Sequence, residues 1–263
     1  MPTSNETAEQ LIAQLQNRIA LLEAENAALR GQQHDKLKGE ALQDMFADLS
    51  HDLRTPLTAI RSSVYLLRKL SDEEKRERHL EALEIQAQHL ERVINDLLSM
   101  SRLDADVTEF RLNLVQVNQV LTDILSGLSP LIVGKNLYVT TDFSTDLPGI
   151  RADQSKITHA LRSIVENAIH YTPENGSIHL RTYNHNTYVV VEVQDSGPGI
   201  PAEDQPHIFK RFFRGDKARS TVRGGSGLGL AIAKKVVERH AGWIEVETEV
   251  GVGSLFRIFL MHY

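Results

Sequence analysis

The sequence contains no cysteine. That excludes disulfides, thiolate nucleophiles and cysteine-held zinc, and it fits a reducing compartment. Positive charge is not in excess either. Lys and Arg number 29 against 35 Asp and Glu, a formal net charge of -6, so bulk attraction to nucleic acid or anionic lipid is not expected. No apolar run approaches the roughly 18 to 20 residues that span a bilayer. The opening MPTSNETAEQ lacks the basic-then-apolar pattern of a secretion signal. The expectation is a cytoplasmic chain with no transmembrane segment. Internal repeats and low-complexity segments are also missing. With 41% apolar and 24% charged residues over 263 positions, the composition is that of a soluble globular protein with one large domain or two ordinary ones.

The first third of the chain reads as helix throughout. Ile12, Leu15, Ile19, Leu22, Asn26 and Leu29 follow steps of three and four, with Ile at a positions, Leu at d positions and one Asn in the seam. That pattern predicts a parallel two-stranded coiled coil over residues 1–39, with Asn26 fixing its register. The pattern lapses at Gln33 and Lys36 and resumes with Leu42, Phe46, Leu49, Leu53, Ile60, Val64 and Leu67. Ser71, Asp72, Glu73 and Glu74 interrupt the stripe and offer capping residues for a second helix, which carries Leu80, Leu83, Ala87, Leu90, Ile94 and Leu97. Two striped helices joined by a short turn form an antiparallel hairpin, predicted over 40–104. One hairpin alone has a thin core, whereas two pairing into a four-helix bundle bury both stripes. The zipper and the hairpin therefore agree on a homodimer.

Beyond SRLDADVTEF, glycine and proline appear and β-branched runs alternate with helical stretches. Strands are predicted at 137–140, 177–180, 188–193 and 254–260, and helices at 153–170 and 227–240. The fold class expected for the whole chain is α+β: a coiled coil, a helical hairpin, then an α/β sandwich over 112–263.

The stretch SHDLRTPLTAI puts a histidine beside an acid on the first hairpin helix. At about 100° per residue, Leu49, Leu53, Ile60, Val64 and Leu67 lie within about 60° of Phe46. His51 lies roughly 140° from it and Thr55 on the same outward face, about 180° from Phe46. An outward imidazole has no packing role, and Asp52 can accept its proton as it attacks an electrophile. Pro56 removes a backbone donor and favours a bend beside it.

A second constellation lies in the sandwich. VVVEVQDSGPGIP reads as a buried strand ending in Asp195, with Gly197 and Gly199 where backbone must pass close to a ligand. RGGSGLGLAIAKKVVERHAG carries Gly224, Gly225, Gly227 and Gly229 into a helix whose free amides can bind phosphate. Between them lie Lys210, Arg211, Arg214, Lys217, Arg219 and Arg223, with Phe209, Phe212 and Phe213 as anchors. A basic loop pinned by aromatics suits a lid over a triphosphate. In SKITHALRSIVENAIHYTP, Ile157, Leu161, Ile164 and Ala168 form an apolar stripe beside the polar series Ser163, Asn167 and His170. The Asn167 amide suits Mg²⁺, a hard cation that keeps waters and takes phosphate oxygens. Glu166 falls farther round, as a base acting at one remove or a solvent-facing residue.

Taken together, these motifs resemble the sensor histidine kinases of two-component signalling, over roughly residues 40 to 263. SHDLRTPLTAI looks like the family's H box, VENAIHYTP its N box, DSGPG its first glycine box, IFKRFFRG its phenylalanine box and GGSGLGLAIAKKVVERHAG its second glycine box. All five occur in family order. The resemblance implies a dimeric phosphotransfer hairpin followed by a Bergerat-type ATP-binding sandwich, with ATP and Mg²⁺ as its cofactors. By position, His51 would be the phosphoacceptor, Asp52 the acid that activates it, and Thr55 the residue that positions water for dephosphorylating the partner. Asn167 would hold Mg²⁺, Asp195 the adenine amino group, and Arg214 would lie near the γ-phosphate. The nucleotide-binding set implied is Asn167, His170, Tyr171, Asp195, Gly197, Gly199, Lys210, Arg214, Gly225, Gly227, Leu228 and Gly229. Ser163 stands where many members have asparagine, and His170 where many have lysine.

The reaction implied is phosphorylation of His51 by ATP, then transfer to an aspartate on the receiver domain of a response regulator. A hinge near 103–112 would let the sandwich swing against the hairpin. Two alternatives stay open at this point: a phosphatase-dominant switch using Thr55, and a dimeric scaffold that binds nucleotide without turnover.

Overall fold

The computed structural model describes residues 57–67, 69, 72–104, 110–215 and 227–262. His51, Asp52, Thr55, the zipper over 12–29 and Gly225 lie outside the described residues, as does the basic stretch 216–226.

Two helices come first, α1 (Leu57–Leu67) and α2 (Glu73–Asp104). Asp72 starts α2 as the sequence predicts: its carboxylate accepts the Lys75 N–H at 3.2 Å, and Glu73 and Glu74 sit at the positive end of the helix dipole. Arg76 Nη1 donates to the Leu67 carbonyl at 3.3 Å, tying the two helices at the turn. Only part of the apolar stripe is covered in the single chain. Leu83, Leu90 and Leu97 are half-buried, whereas Leu80 is 54% exposed and Ile94 44%, with Leu57, Val64 and Leu98 also open; the buried residues of α2, namely Val93, Met100 and Leu103, lie beside the predicted stripe.

The sandwich runs β1 (Asn113–Val115), α3 (Val117–Gly134), β2 (Tyr138–Phe143), β3 (Ile150–Ala152), α4 (Gln154–Tyr171), β4 (Ser177–His185), β5 (Tyr188–Asp195), α5 (Gly229–Arg239), β6 (Trp243–Glu249) and β7 (Gly253–Met261). Strand order in the main sheet is β2-β4-β5-β7-β6, with β2 parallel to β4 and the other pairs antiparallel. β1 and β3 form a separate antiparallel ribbon. Alternation decides the faces. Ile178 and Leu180, Val189, Val191 and Val193, and Phe256, Ile258 and Leu260 point into one core with Leu121, Ile124 and Leu128 of α3, Ile157, Leu161 and Ile164 of α4, and Ile232 and Val236 of α5. On the opposite face Arg257 bridges Glu192 and Glu247, and Trp243 stacks on Phe259 with ring centroids 4.3 Å apart.

In the sandwich, the helices predicted at 153–170 and 227–240 and the four predicted strands are present, the strands longer than expected. The sequence reading did not contain α3, β6 or the β1–β3 ribbon. It also needs one correction. α3 is long and apolar enough, by length and composition, to cross a membrane, contrary to the expectation that no stretch approaches that size. The sandwich uses it as a core helix, burying Val117, Val120, Leu121, Ile124 and Leu128. The hairpin and the sandwich also share a core, because Met100 and Leu103 of α2 belong to the same buried cluster as α3 to α5. A hinge starting at 103 would therefore begin inside packed helix.

Candidate functional site

α4 carries the polar series singled out in the sequence. Its N-cap, Asp153, accepts from Ser155 Oγ at 2.7 Å and from the backbone N–H groups of Arg111 and Lys156 at 3.1 and 3.2 Å. Burial works against that carboxylate's charge, but the three donors outweigh it and hold its pKa below the ordinary value. The expected stripe Ile157, Leu161, Ile164 and Ala168 is buried.

The polar face divides in two. Ser163 is itself buried, donating Oγ to the His159 carbonyl at 2.9 Å. A Cβ on Gly229, at the start of α5, would come within 3.4 Å of the Ser163 Cβ, so the two helices meet there at close range. Asn167 and His170 are half-buried. Among the described residues the Asn167 amide makes no hydrogen bond, which leaves its oxygen available to a ligand. Glu166 accepts from Arg162 Nε at 2.8 Å along the helix. Tyr171 meets His170 edge-on, with centroids 4.9 Å apart. Partial burial pushes the Tyr171 hydroxyl's pKa up, opposed by the nearby Arg214 guanidinium, which puts that arginine beside the end of α4.

Asp195 is the site's chemical anomaly. The inward positions of β5 run Val189, Val191, Val193 and then Asp195, an acid where the pattern calls for a fourth apolar residue. It is 8% exposed. Its Oδ1 accepts the Gly197 N–H at 2.8 Å, and the Ser254 N–H gives a second bond. Burial raises its pKa, and these two donors offset only part of the rise. A buried carboxylate with acceptor capacity left over is suited to a ligand that donates. The loop after it has no room for side chains. A Cβ on Gly197 would lie 2.6 Å from Asp195 Oδ1 and 3.3 Å from the Tyr171 carbonyl, and Gly199, at φ +69°, lies against the Glu249 backbone. Thr248 accepts the Ile200 N–H at 2.9 Å, and Pro198 accepts the Gly251 N–H at 2.8 Å, so the loop is seated on the β6–β7 turn.

Residues 202–212 form a run of turns and bends. Phe209 and Phe212 pack against the core, and Lys234 of α5 lies 5.3 Å over the Phe209 ring. Phe212 donates its N–H to the Gly227 carbonyl at 3.0 Å. A Cβ on Gly227, at φ +68°, would come 2.8 Å from the Phe212 backbone. This contact sets Phe212 beside Gly227, next to buried Leu228 and the start of α5 at Gly229. Lys210 is exposed and Arg214 half-buried.

The fold therefore brings Tyr171, Gly197 and Asp195 together, with His170 and Arg214 beside Tyr171 and Asn167 one turn before it, and it sets Gly229 against Ser163 farther up α4 and Gly227 against Phe212. Lys210 stays at the margin, and Gly199 serves as the loop's footing. Sequence reasoning did not find Lys135, whose ammonium binds the last carbonyls of α4, nor Ser196 and Thr248, which brace the glycine loop. It also missed a contact between the hairpin and the sandwich: His159 Nε2 of α4 lies 3.1 Å from Asp96 Oδ1 of α2. Mg²⁺ fits the residues present in a limited way. Among the described residues there is no His, Asp or Glu cluster able to hold a metal. The open Asn167 amide supplies one hard oxygen, as suits a cation completed by phosphate and water.

Residues 41–106 match the His Kinase A (phospho-acceptor) domain family. Residues 152–262 match the family of histidine kinase-, DNA gyrase B-, and HSP90-like ATPases. The adaptive-response sensory kinase SasA of Synechococcus sp. (strain JA-2-3B'a(2-13)) is 35% identical over 267 residues, covering 100% of this chain and 68% of that one. Among solved structures, histidine kinase ThkA in complex with the response regulator protein TrrA superposes with a TM-score of 0.66 at 26% identity, covering 84% of this chain and 61% of that chain. ShkA, solved full-length in complex with AMPPNP, gives a TM-score of 0.62 at 29% identity over 82% of this chain and 45% of that one. The chain spans between about a third and a half of the length of the other curated relatives it matches, 31% to 54% of each.

Proposed function

The chain belongs to the two-component sensor histidine kinases, and we propose that it phosphorylates its own His51 from ATP and passes the phosphoryl group to an aspartate on a response regulator's receiver domain. The observation that carries this reading is Asp195: a buried carboxylate in a notch with no room for side chains, with acceptor capacity left for the amino group of adenine. The phosphates then extend toward Asn167 and the N-terminus of α5, where backbone amides and the helix dipole favour anions. Arg214 is near enough to contribute positive charge. Bound through Asn167, Mg²⁺ supplies charge neutralisation on the phosphate oxygens.

In the transfer itself, an imidazole nitrogen of His51 forms a bond to the γ-phosphorus as the bond to the β–γ bridging oxygen breaks. ADP leaves and the imidazole proton passes to Asp52. The chain's contribution is position and electrostatics rather than covalent chemistry. Thr55, one turn beyond His51, orients water in the reverse task of dephosphorylating the partner.

We assign the hairpin to 40–104 and the ATP-binding domain to 112–263. The second boundary is supported by β1, α3 and β2, which precede the matched ATPase segment yet belong to the same folded unit. The exposed Leu80, Ile94 and Leu98 support a homodimer through the hairpins, as the coiled coil over 1–39 does from sequence. A cytoplasmic catalytic core fits the partner class. The TrrA complex of ThkA supports a receiver domain as that partner.

A chase experiment tests the pathway. The chain is labelled with γ-phosphate-labelled ATP, freed of nucleotide and mixed with a receiver domain. Label that leaves the chain and reaches an aspartyl phosphate supports the reading, and label that stays on the chain with every receiver tried contradicts the second step.

A further inference from the structure

Three hydrogen bonds converge on one ammonium group at the end of α4. Lys135, in the turn between α3 and β2, sends Nζ to the carbonyls of Ile169 at 2.8 Å, His170 at 2.8 Å and Thr172 at 2.7 Å. Carbonyls at a helix C-terminus lack intrahelical donors and lie at the negative end of the dipole, so a cation there is doubly favourable. Ile169 and Thr172 are buried, and water cannot substitute for the lysine without reopening the packing.

One carbonyl in this run of four is not taken. That of Tyr171, between His170 and Thr172, is the group against which Gly197 fits. Gly197 in turn donates to Asp195 Oδ1. Lys135 thus fixes the peptide planes on both sides of the wall that bounds the Asp195 notch. The turn that follows is tied to the same place. The Asn175 N–H donates to the Lys135 carbonyl at 3.0 Å, the Tyr138 N–H to the Gly176 carbonyl at 2.9 Å, and the Ser177 N–H to Ser196 Oγ at 2.8 Å, beside Gly197.

We propose that Lys135 is a positioning residue for the nucleotide. It does not touch the substrate. By holding the end of α4 it sets the spacing between that helix, with Asn167 and His170, and the Asp195 carboxylate. This inference rests on the nucleotide-binding reading above. Replacing the ammonium with an apolar side chain leaves buried carbonyls without donors. The last turn of α4 then loosens and the Tyr171 carbonyl no longer meets Gly197 in one register. The loss falls on binding the nucleotide, because the Tyr171–Gly197 contact bounds the Asp195 notch in which the adenine is held.

The test is ATP·Mg²⁺ affinity by calorimetry on the full chain, with KM and kcat for autophosphorylation. Lys135→Met should raise Kd and KM about tenfold, which is about 1.4 kcal/mol, and leave kcat at saturating ATP within about twofold. Lys135→Arg should recover most of the affinity, since it keeps charge and several donors. Asn136→Gly is the neighbouring control: it removes the 2.7 Å bond from Asn136 Nδ2 to Asn175 Oδ1, keeps the backbone at its φ of 50°, and should leave Kd unchanged. A Lys135→Met chain that melts lower but binds ATP like wild type overturns the proposal, because the lysine would then be a structural cap only. If Lys135→Met does not fold, Lys135→Gln is read by the same criterion. A wild-type chain that binds no ATP sinks the nucleotide reading itself, an outcome distinct from equal affinity in wild type and variant.

Discussion

A buried acid is costly unless something donates to it, and Asp195 has only two backbone donors for its oxygens. Its raised pKa has a sign that can be worked out. A carboxyl whose folded pKa lies above its unfolded value favours the folded state most at low pH, and that contribution is lost as pH rises through the folded pKa. The ionised group therefore costs stability at pH 7. Asp195→Asn should melt at or above the wild-type temperature at pH 7, with the advantage disappearing as pH falls below the carboxyl's pKa. ATP affinity in the same variant should fall by roughly 10-fold to 100-fold, the size expected when a ligand's buried donor loses its charged acceptor. Calorimetric melting across pH and ATP titration check the two halves separately. This residue was legible in the sequence because an acid ending a run of inward valines is anomalous without any structure. Lys135 was not, because its bonds span 34 to 37 residues and depend on where α3 ends relative to α4.

Among the elements, α4 and α5 hold the site, and one histidine joins their outer ends. The Asp153 N–H donates to His240 Nε2 at 3.0 Å, so that nitrogen is unprotonated, and Nδ1 carries the hydrogen given to the Val236 carbonyl at 2.8 Å. Burial depresses the His240 pKa below its ordinary 6.5, with Arg239 adding to the effect and the Val236 bond and Asp153 opposing it. For a base depressed on folding, the stability contribution is full above pH 6.5 and is lost as pH falls below it. The melting temperature of the ATP-binding domain should therefore drop as pH falls below 6.5. In His240→Gln that pH dependence should flatten, although the variant starts from lower stability at pH 8. A wild-type slope retained in His240→Gln would assign the acid sensitivity elsewhere.

α4 and α5 themselves were readable from capping and period. Asp153 precedes the stripe of α4, and glycines precede that of α5. α3 escaped because its sequence, VNQVLTDILSGLSPLIVG, carries Gly and Pro in the interior and has no side-chain N-cap. Tertiary burial overrides those local signals. β6 does alternate, with Ile244 and Val246 inward between outward Trp243, Glu245, Glu247 and Glu249, but it is an edge strand with only two inward aliphatic residues.

At the scale of the molecule, a long hairpin meets a compact sandwich through Met100, Leu103 and the Asp96–His159 contact. The unburied remainder of the hairpin stripe carries the proposed dimer. Ile94 was read from sequence as core, and it stays open in the single chain because its partner is expected on a second copy. Leu80→Glu together with Ile94→Glu should convert the chain from dimer to monomer in sedimentation equilibrium, with the circular dichroism of the sandwich retained. A double variant that remains dimeric would put the interface elsewhere. The architecture was legible from the order of the motifs, whereas the close packing of α2 on the sandwich was not. Helical periodicity shows which face is apolar but does not identify its partner.

The most direct measurement is incubation of the full chain with γ-phosphate-labelled ATP and Mg²⁺, comparing wild type with His51→Gln. The expected result is label on the wild-type chain that is labile in acid and stable in alkali, as a phosphoramidate is, and at least about a thousandfold less in the variant, the scale lost when a nucleophile is removed. Equal labelling of the two chains, or a wild-type chain that binds ATP and never takes up label, would contradict it.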